Sequence, residues 1–342
     1  MKKFLSAIAA LSVLTAALAG CGSSASTTTT TAATTAAVTE AAAQGNGSEY
    51  KVAIVQQLDH TSLDEIRLAM EAELDKKAAE KGITITYKEF NGQNDATVLN
   101  QIGAQVVSDQ YDAILPIATL AATTMATATE ENRIPVIYAA ISDPASSDLT
   151  GIPNVTGTSD ALNTQFILDM MLAAQPDIET VGLLYSNSEV NSVTPIAEAK
   201  AYLDSKGIAY LEKTGNSTDE ILTAASAMVG RVQAVFTPTD NVVMAAASAV
   251  AEILTDAGIP HYTGADSFVT AGAFTTCGVN YTELGTYTAD MAVDILLGGA
   301  IPEYHVMDGG IITVNTDTAK ALGIDYSVFS TMAGTVKEVT TE

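Results

Sequence analysis

Short runs of β-branched and other apolar residues alternate with amphipathic stretches along the chain after Glu49. Residues 51–55 have the apolar character of a buried strand, and the next stretch repeats apolar residues at helical spacing until Gly82. The same alternation predicts further strands at 83–90, 111–117, 134–140, 180–185, 208–212, 232–237 and 260–263, and helices at 98–107, 120–129, 195–205, 221–229 and 242–254. Strands separated by helices indicate βαβ units and therefore parallel sheets.

The pattern occurs twice. Gly82-Ile83 recurs as Gly207-Ile208, and Ile134-Pro135 recurs as Ile259-Pro260, both at a spacing of 125 residues. Two anchors in the same order and at the same spacing favour two equivalent halves over a chance match. We therefore predict an α/β protein with two Rossmann-like lobes, each built on a parallel sheet.

Length and charge agree with two lobes and exclude some functions. The chain has 342 residues, which suits two domains, and 47% of them are hydrophobic, which is enough for two cores. Its 40 acidic residues against 15 basic ones give a formal net charge of −25. Such a surface argues against binding nucleic acid and against electrostatic docking on anionic lipid.

The N-terminus has the features of an export signal. Lys2 and Lys3 precede an uncharged apolar run over residues 4–18, and small residues then lead directly to Cys21. This arrangement resembles a bacterial lipobox, in which Cys21 is lipidated, although a plain signal peptide beside an incidental cysteine gives the same pattern. Thr and Ala supply 16 of the 28 residues from 22 to 49, so we predict a disordered tether there.

The motifs of common enzymes are absent from the sequence. It has no Gly-rich phosphate loop, no Gly-x-Ser-x-Gly turn and no close pairing of His or Cys residues that predicts zinc. Cys277 lies among small and apolar residues, which is typical of a buried, inert thiol. We expect a binding protein with no cofactor and no metal, while a secreted hydrolase with dispersed catalytic residues is the competing interpretation.

Parallel sheets bind ligands at the carboxyl ends of their strands, next to helix N-termini. At a shift of 121 residues, Thr119 and Asp240 are equivalent, since each follows a third strand and opens a helix. Gln57 and His60 follow the first strand, although a solvated loop explains His60 equally well. Other strand-end candidates are Ala140, Asp143 and Asp266.

Ordered segments between about Tyr50 and Ser327 resemble a known family. They are Val52-Ala53-Ile54-Val55-Gln56, His60-Thr61-Ser62-Leu63-Asp64, Ile117-Ala118-Thr119, Ser142-Asp143-Pro144, Asn154-Val155-Thr156-Gly157, Glu189-Val190-Asn191-Ser192, Pro238-Thr239-Asp240-Asn241, and Asn315 with residues 319–324. Together they resemble the substrate-binding proteins of ABC transporters of the tryptophan/tyrosine type, which have the type I periplasmic-binding-protein fold. The resemblance implies a monomeric, extracytoplasmic lipoprotein that delivers a small molecule to an ABC permease and its ATPase.

The resemblance also implies three crossings between the lobes, which we place near residues 156–160, 267–270 and 304–308. The expected organisation is a signal peptide over 1–21, a tether over 22–49, an N-terminal lobe over 50–155 and 268–304, a C-terminal lobe over 156–267 and 305–337, and a tail over 338–342. In this arrangement the helix predicted over 284–297 returns to the first lobe.

An amino-acid ligand needs one site for its carboxylate and another for its ammonium group. Thr119 suits the carboxylate, as do Asn191 and Ser192 at a helix start in the second lobe, although each can simply cap its helix. Asp240 is the favoured partner of the ammonium group and Asp266 the alternative, whereas Asp143 can be a turn residue before Pro144.

The preference for an aromatic amino acid comes from the resemblance alone. A nucleoside, a sugar or a branched-chain amino acid remains an alternative ligand, and a sensor lipoprotein that presents its ligand to another receptor remains an alternative function.

Overall fold

The computed structural model describes residues 48–333 and 335–341, and within them the chain forms thirteen strands and eleven α-helices. The strands are β1 (Glu49–Gln56), β2 (Thr84–Asn91), β3 (Ala113–Ile117), β4 (Val136–Tyr138), β5 (Val155–Ser159), β6 (Thr180–Tyr185), β7 (Ala209–Thr214), β8 (Ala234–Thr237), β9 (His261–Thr263), β10 (Thr275–Gly278), β11 (His305–Val306), β12 (Ile311–Asn315) and β13 (Thr335–Val339). The helices are α1 (Thr61–Lys81), α2 (Ala96–Ser108), α3 (Thr119–Ala128), α4 (Thr164–Ala174), α5 (Val193–Lys206), α6 (Thr218–Ser226), α7 (Asn241–Met244), α8 (Ala247–Asp256), α9 (Asp266–Thr270), α10 (Tyr281–Leu296) and α11 (Thr316–Leu322). Two 3₁₀ turns add Val190–Ser192 and Ser327–Thr331.

These strands form two sheets, and the predicted α/β architecture is confirmed. The first sheet has the order β11-β5-β4-β3-β1-β2, and the second has the order β13-β12-β10-β9-β8-β6-β7. Paired strands are parallel throughout the described residues except β10 and β12, which run antiparallel. Each sheet with its helices is one lobe, called here the first and the second lobe.

The local sequence accounts for the individual elements. In β1 the run Val52–Val55 is completely buried, because helices cover both faces of a parallel sheet and both sets of side chains enter a core. Gly82 and Gly207 end α1 and α5 in the left-handed conformation, with φ of 65° and 70°. Because this conformation is strained for residues with a Cβ, a glycine at each position ends the helix as the sequence predicted.

The crossings between the lobes differ in part from those predicted. Residues 160–163 connect β5 in the first sheet to α4, which packs into the core of the second lobe. The second crossing lies at Val279 and Asn280 rather than near 267–270, because β10 pairs with β9 and β12 and so keeps residues 275–278 in the second sheet. The third crossing is at 307–310, between β11 and β12.

The structure also differs from three predicted boundaries. β5 extends the first lobe to Ser159, four residues beyond the predicted boundary. Residues 338 and 339 belong to β13 rather than to a tail, because they continue its pairing with β12. At the other end β1 already begins at Glu49, the last residue of the predicted tether. The predicted signal peptide, the lipidated Cys21 and the rest of the tether to residue 47 lie outside the described residues.

α10 follows the second crossing and packs against α1 of the first lobe. Gly285 makes this close approach possible, because a Cβ at that position would lie 2.5 Å from the backbone oxygen of Ile66. Thr288 on the same helix face shares a 2.7 Å hydrogen bond with Thr158 of β5. The helix predicted over 284–297 therefore closes the first lobe from a position far along the chain.

We predict that Gly285→Ala destabilises the protein although alanine favours helix formation. The added Cβ forces α10 away from α1, and overpacking of this kind costs about 1–3 kcal/mol. Urea unfolding at constant pH measures the loss. Thr286→Ala, one position along the same helix, is the control and should change the free energy of unfolding by less than about 0.5 kcal/mol. A Gly285→Ala protein as stable as the wild type would refute the close-packing argument.

Candidate functional site

A small cavity lies between the two lobes, at the carboxyl ends of the strands. It holds about 350 Å³ of space between atoms, part of it open to solvent, and about 20 Å³ admits the centre of a water molecule. The first lobe and the crossings contribute His60, Ser62, Leu63, Ala118, Thr119, Ala140, Ser142, Asp160 and Tyr281 to its lining, and the second lobe contributes Asn191, Thr239, Asp240, Asn241, Met244, Ala265 and Phe268. Both lobes therefore surround anything that this cavity binds.

Two helices of the first lobe point their N-termini at the cavity. α1 begins after His60, and α3 begins at Thr119. Ala118, which precedes α3, has no capping side chain and a φ of 74°, so the side chain of Gln57 performs the capping by accepting the Leu120 N–H at 2.9 Å. The positive ends of two helix dipoles make this side of the cavity favourable for a negatively charged group.

Asp240 dominates the opposite wall, and its carboxylate is already occupied. Oδ1 accepts the N–H groups of Val242 and Val243 at the start of α7, at 3.1 and 3.0 Å. Oδ2 accepts the Ser186 N–H at 2.7 Å and the Ser192 hydroxyl at 2.6 Å. With four donors on two oxygens, Asp240 is a complete helix cap that also holds β6 and the 3₁₀ turn in place.

Asp160 lies in the same cavity with fewer partners. It follows β5 on the first crossing and is 4% exposed. Its Oδ1 accepts the Ser142 hydroxyl and its Oδ2 accepts the Tyr281 hydroxyl, each at 3.0 Å. Burial raises the pKa of Asp160, and burial beside this carboxylate raises the pKa of Tyr281 well above its ordinary value.

Direct hydrogen bonds join the lobes around the cavity. His60 Nε2 lies 3.0 Å from Asn241 Oδ1, and Ser142 Oγ lies 2.9 Å from Thr239 Oγ1. Because an amide oxygen only accepts, Nε2 of His60 carries the proton in this contact. Burial lowers the pKa of His60, which therefore favours the neutral imidazole. The hydroxyls of Ser62 and Ser267 make a further contact across the cleft.

Glu189 forms a second link between the lobes, next to the cavity. It is 4% exposed, accepts the Gln57 amide of the first lobe at 3.1 Å and accepts the Asn241 amide at 2.6 Å. Burial and the neighbouring charge of Asp240 raise the pKa of Glu189 to about 7. No lysine or arginine is among these partners, so the ionised carboxylate is held by amide groups alone.

The structure brings some of the predicted site residues together and separates others. The cavity wall includes His60, Thr119, Ala140, Asn191 and Asp240.

Four predicted residues lie elsewhere. Gln57 and Ser192 stand behind the wall, where they hold α3, Glu189 and Asp240. Asp143 lies in an adjoining groove, where it caps the turn at Ser146 and accepts the Thr194 hydroxyl of the second lobe at 2.8 Å. Asp266 lines a different cavity and faces Lys337 at 3.5 Å. Since Ala265 already faces the ligand cavity, the next side chain points away from it.

Several lining residues were absent from the predicted site, notably Asp160 with its two partners, Ser142 and Tyr281. Asp160 follows a strand directly, which is the signal used for Asp240, but the sequence interpretation assigned it only to a crossing. The aromatic rings at the cavity are those of Phe268 and Tyr281. Neither position follows a predicted strand of the repeat, so the strand-end rule could not select them.

Two α/β lobes that enclose a cavity and are joined by three crossings define a ligand-binding protein of the type I periplasmic-binding class. A sequence model described as "ABC transporter substrate binding protein" matches residues 51–335. The chain belongs to this family of ABC-transporter substrate-binding proteins, as its sequence motifs predicted. Its relatives in the family bind ligands, and the protein is not an enzyme.

Three relatives illustrate the family. A tyrosine-binding protein of Clostridioides difficile (strain R20291) is 29% identical over 328 residues, which are 94% of this chain and 92% of the relative. An ABC domain from Streptococcus pneumoniae, solved in complex with L-Trp, is 30% identical with a TM-score of 0.78 and covers 84% of this chain and 100% of its own. A ligand-free, open substrate-binding protein with adhesive properties from Clostridium difficile is 31% identical with a TM-score of 0.64, covering 86% and 100%.

Across residues 48–333 and 335–341, no helix is both long and apolar enough to cross a membrane.

We predict that Glu189→Gln changes how stability depends on pH. Folding raises the pKa of this carboxyl to about 7, so the folded protein holds its proton more tightly than the unfolded chain does. As the pH rises from 5 to 8, the free energy of unfolding of the wild type should therefore fall by about 2 kcal/mol relative to that of the variant. The wild type should be most stable relative to the variant at acid pH. Chemical unfolding of both proteins over this pH range measures the difference.

The matched control for this experiment is Glu130→Gln, which removes an exposed carboxylate. Its stability curve should run parallel to that of the wild type. A parallel curve for Glu189→Gln as well would contradict the assignment of a perturbed carboxyl at the lobe interface.

Proposed function

We propose that this protein captures an amino acid, preferentially an aromatic one, between its lobes and delivers it to an ABC permease. The observation that carries the proposal is that one cavity offers groups for both charges of an amino acid. The N-termini of α1 and α3 suit a carboxylate, and the buried carboxylates of the cavity wall, Asp160 on the first crossing and Asp240 in the second lobe, suit an ammonium group. An amino acid, which carries one carboxylate and one ammonium group, is complementary to both kinds of group.

The relatives support the same class of ligand. One is a tyrosine-binding protein and another was solved in complex with L-Trp. The cavity offers the ring of Phe268 together with Leu63 and Met244 as an apolar surface, which suits an aromatic side chain. Thr119 lies on the side of the cavity that suits the ligand's carboxylate, and the second lobe contributes Asn191 to the cavity wall.

Ligand entry requires the lobes to separate. Only about 20 Å³ of the cavity admits a water centre, which is room for about one water molecule and far too little for an amino acid. The contacts across the cleft that would have to break include the hydrogen bonds of His60 with Asn241 and of Ser142 with Thr239. The TM-score of 0.78 with the L-Trp complex, against 0.64 with the open, ligand-free relative, supports a hinge motion of this kind.

Membership of the family of ABC-transporter substrate-binding proteins supports a location outside the cytoplasmic membrane, in reach of a permease. We propose that Cys21 is lipidated after export and that the segment between Cys21 and β1 links the lipid to the lobes. The sequence pattern at the N-terminus supports this anchor, since small residues precede Cys21 directly and the tether has almost no large apolar groups.

A ligand panel tests the function. We expect an aromatic L-amino acid to raise the melting temperature and to bind with a defined stoichiometry in calorimetry. At a ligand concentration of about 100 times the dissociation constant, stability should increase by roughly 2.7 kcal/mol. The panel includes branched-chain amino acids, nucleosides and sugars. Stabilisation by one of those classes alone would replace the proposed ligand, and chemical turnover of the ligand would replace binding by catalysis.

The anchor has a separate test. Expressed in a bacterial host with a lipoprotein-processing pathway, the full chain should partition with membranes, whereas Cys21→Ala should not be lipidated and should leave the membrane fraction. Cys277→Ala is the matched control, because its thiol is buried inside the second lobe, and it should stay with the membranes. Equal fractionation of the Cys21→Ala protein and the wild type would refute the anchor without affecting the ligand proposal.

A further inference from the structure

We propose that Asp160, on the first crossing between the lobes, binds the ammonium group of the ligand, with Ser142 and Tyr281 as its positioning residues. This inference rests on the proposed function and deepens it, because it assigns the cationic group of the ligand to one side chain and to a crossing instead of a lobe.

The first argument is the cost of an unpaired buried charge. Asp160 is 4% exposed, and its two partners are neutral hydroxyls, one on each oxygen. An ionised carboxylate in such a place is expensive unless a cation pairs with it. The lining residues of the cavity include no lysine and no arginine, and burial keeps His60 neutral. An ionised Asp160 in this cavity therefore finds its cation only in the ligand.

The second argument is capacity. A carboxylate has about four lone-pair positions, and the structure gives Asp160 two side-chain donors, one on each oxygen. Both of its oxygens can therefore accept another N–H, as an ammonium group with three donors requires. Asp240 already has four donors, two of them the backbone N–H groups that begin α7. An ammonium group at Asp240 would have to displace a helix cap, whereas at Asp160 it displaces nothing.

The third argument is the hydrogen-bond chain that includes Asp160. An ionised carboxylate only accepts hydrogen bonds, so the hydroxyl of Ser142 donates its one proton to Asp160. In the contact between Ser142 and Thr239 the threonine must then be the donor, and the chain runs from Thr239 of the second lobe through Ser142 to Asp160. Tyr281, which follows the second crossing, donates from the other side. Asp160 thus joins two crossings and, through Ser142, both lobes.

The experiment compares two proteins with two pairs of ligands. L-Tryptophan and indole-3-propionate differ by the ammonium group, and L-tyrosine and 3-(4-hydroxyphenyl)propionate form a second such pair. Calorimetry at constant pH gives the dissociation constants for the wild type and for Asp160→Asn. We expect the wild type to prefer the amino acid by about 100-fold, and the variant to lose about 100-fold for the amino acid while its affinity for the deaminated acid changes less than about threefold.

Asp148→Asn, an exposed carboxylate of the same lobe, is the matched control and should bind both ligands like the wild type. Circular dichroism and the melting temperature establish that Asp160→Asn is folded. Should that variant fail to fold, Tyr281→Phe removes one positioning hydroxyl and should reduce the preference for the amino acid by roughly tenfold.

Two results would overturn the inference. One is an Asp160→Asn protein that binds the amino acid within threefold of the wild type, and the other is a wild type that binds the deaminated acid as tightly as the amino acid. Both leave amino-acid binding itself intact. A wild type that binds no amino acid at all would instead defeat the proposed function, so the two failures are distinguishable.

Discussion

Burial of carboxylates without cations is the constraint on which the rest of this site depends. Asp160, Glu189 and Asp240 are all at most 4% exposed, and every partner that holds them is a hydroxyl, an amide or a backbone N–H. Such groups stabilise a charge less well than an ion pair in the same surroundings. The interface between the lobes therefore carries an electrostatic penalty that the lobes alone do not relieve, and a ligand with a positive group can lower it.

The duplicated fold accounts for the two-sided character of the cavity. Thr119 and Asp240 both follow the third strand of a lobe and lie in the cavity wall, but Thr119 is the first residue of α3, whereas Asp240 precedes α7 as its cap. Their surroundings differ, because α7 has an aspartate as its cap, whereas α3 depends on the Gln57 side chain from a neighbouring strand. The first lobe thus presents two helix N-termini without an acidic cap, and the second lobe presents a saturated carboxylate. Lobes of the same topology differ in their electrostatics where the capping residues differ.

The sequence predicted the lobes better than the site. Strands such as β1 and helix ends such as Gly82 depend on local patterns, and the order of parallel strands follows from right-handed βαβ connections. The crossings were harder, since only the pairing of β10 with β9 and with distant β12 shows which lobe contains residues 275–278. Asp240 was found by its place at a strand end, but its saturation depends on Ser186 and Ser192, about 50 residues away. Asp266 was misplaced because a strand-end position does not reveal which way a side chain points.

The location of Asp160 on a crossing connects ligand chemistry to lobe movement. Burial raises the pKa of this carboxyl, so enclosing it favours a bound proton. A ligand ammonium group can take the place of that proton, and it supplies three donors to oxygens that each have one partner. Enclosure around a neutral molecule of the same shape would leave the charge unpaired or require a proton from solvent. Since Ser142 also bonds Thr239 of the second lobe, the charge state of Asp160 bears directly on a contact that joins the lobes. In the proposed mechanism, selection of a ligand with an ammonium group and approach of the lobes both depend on this buried carboxylate.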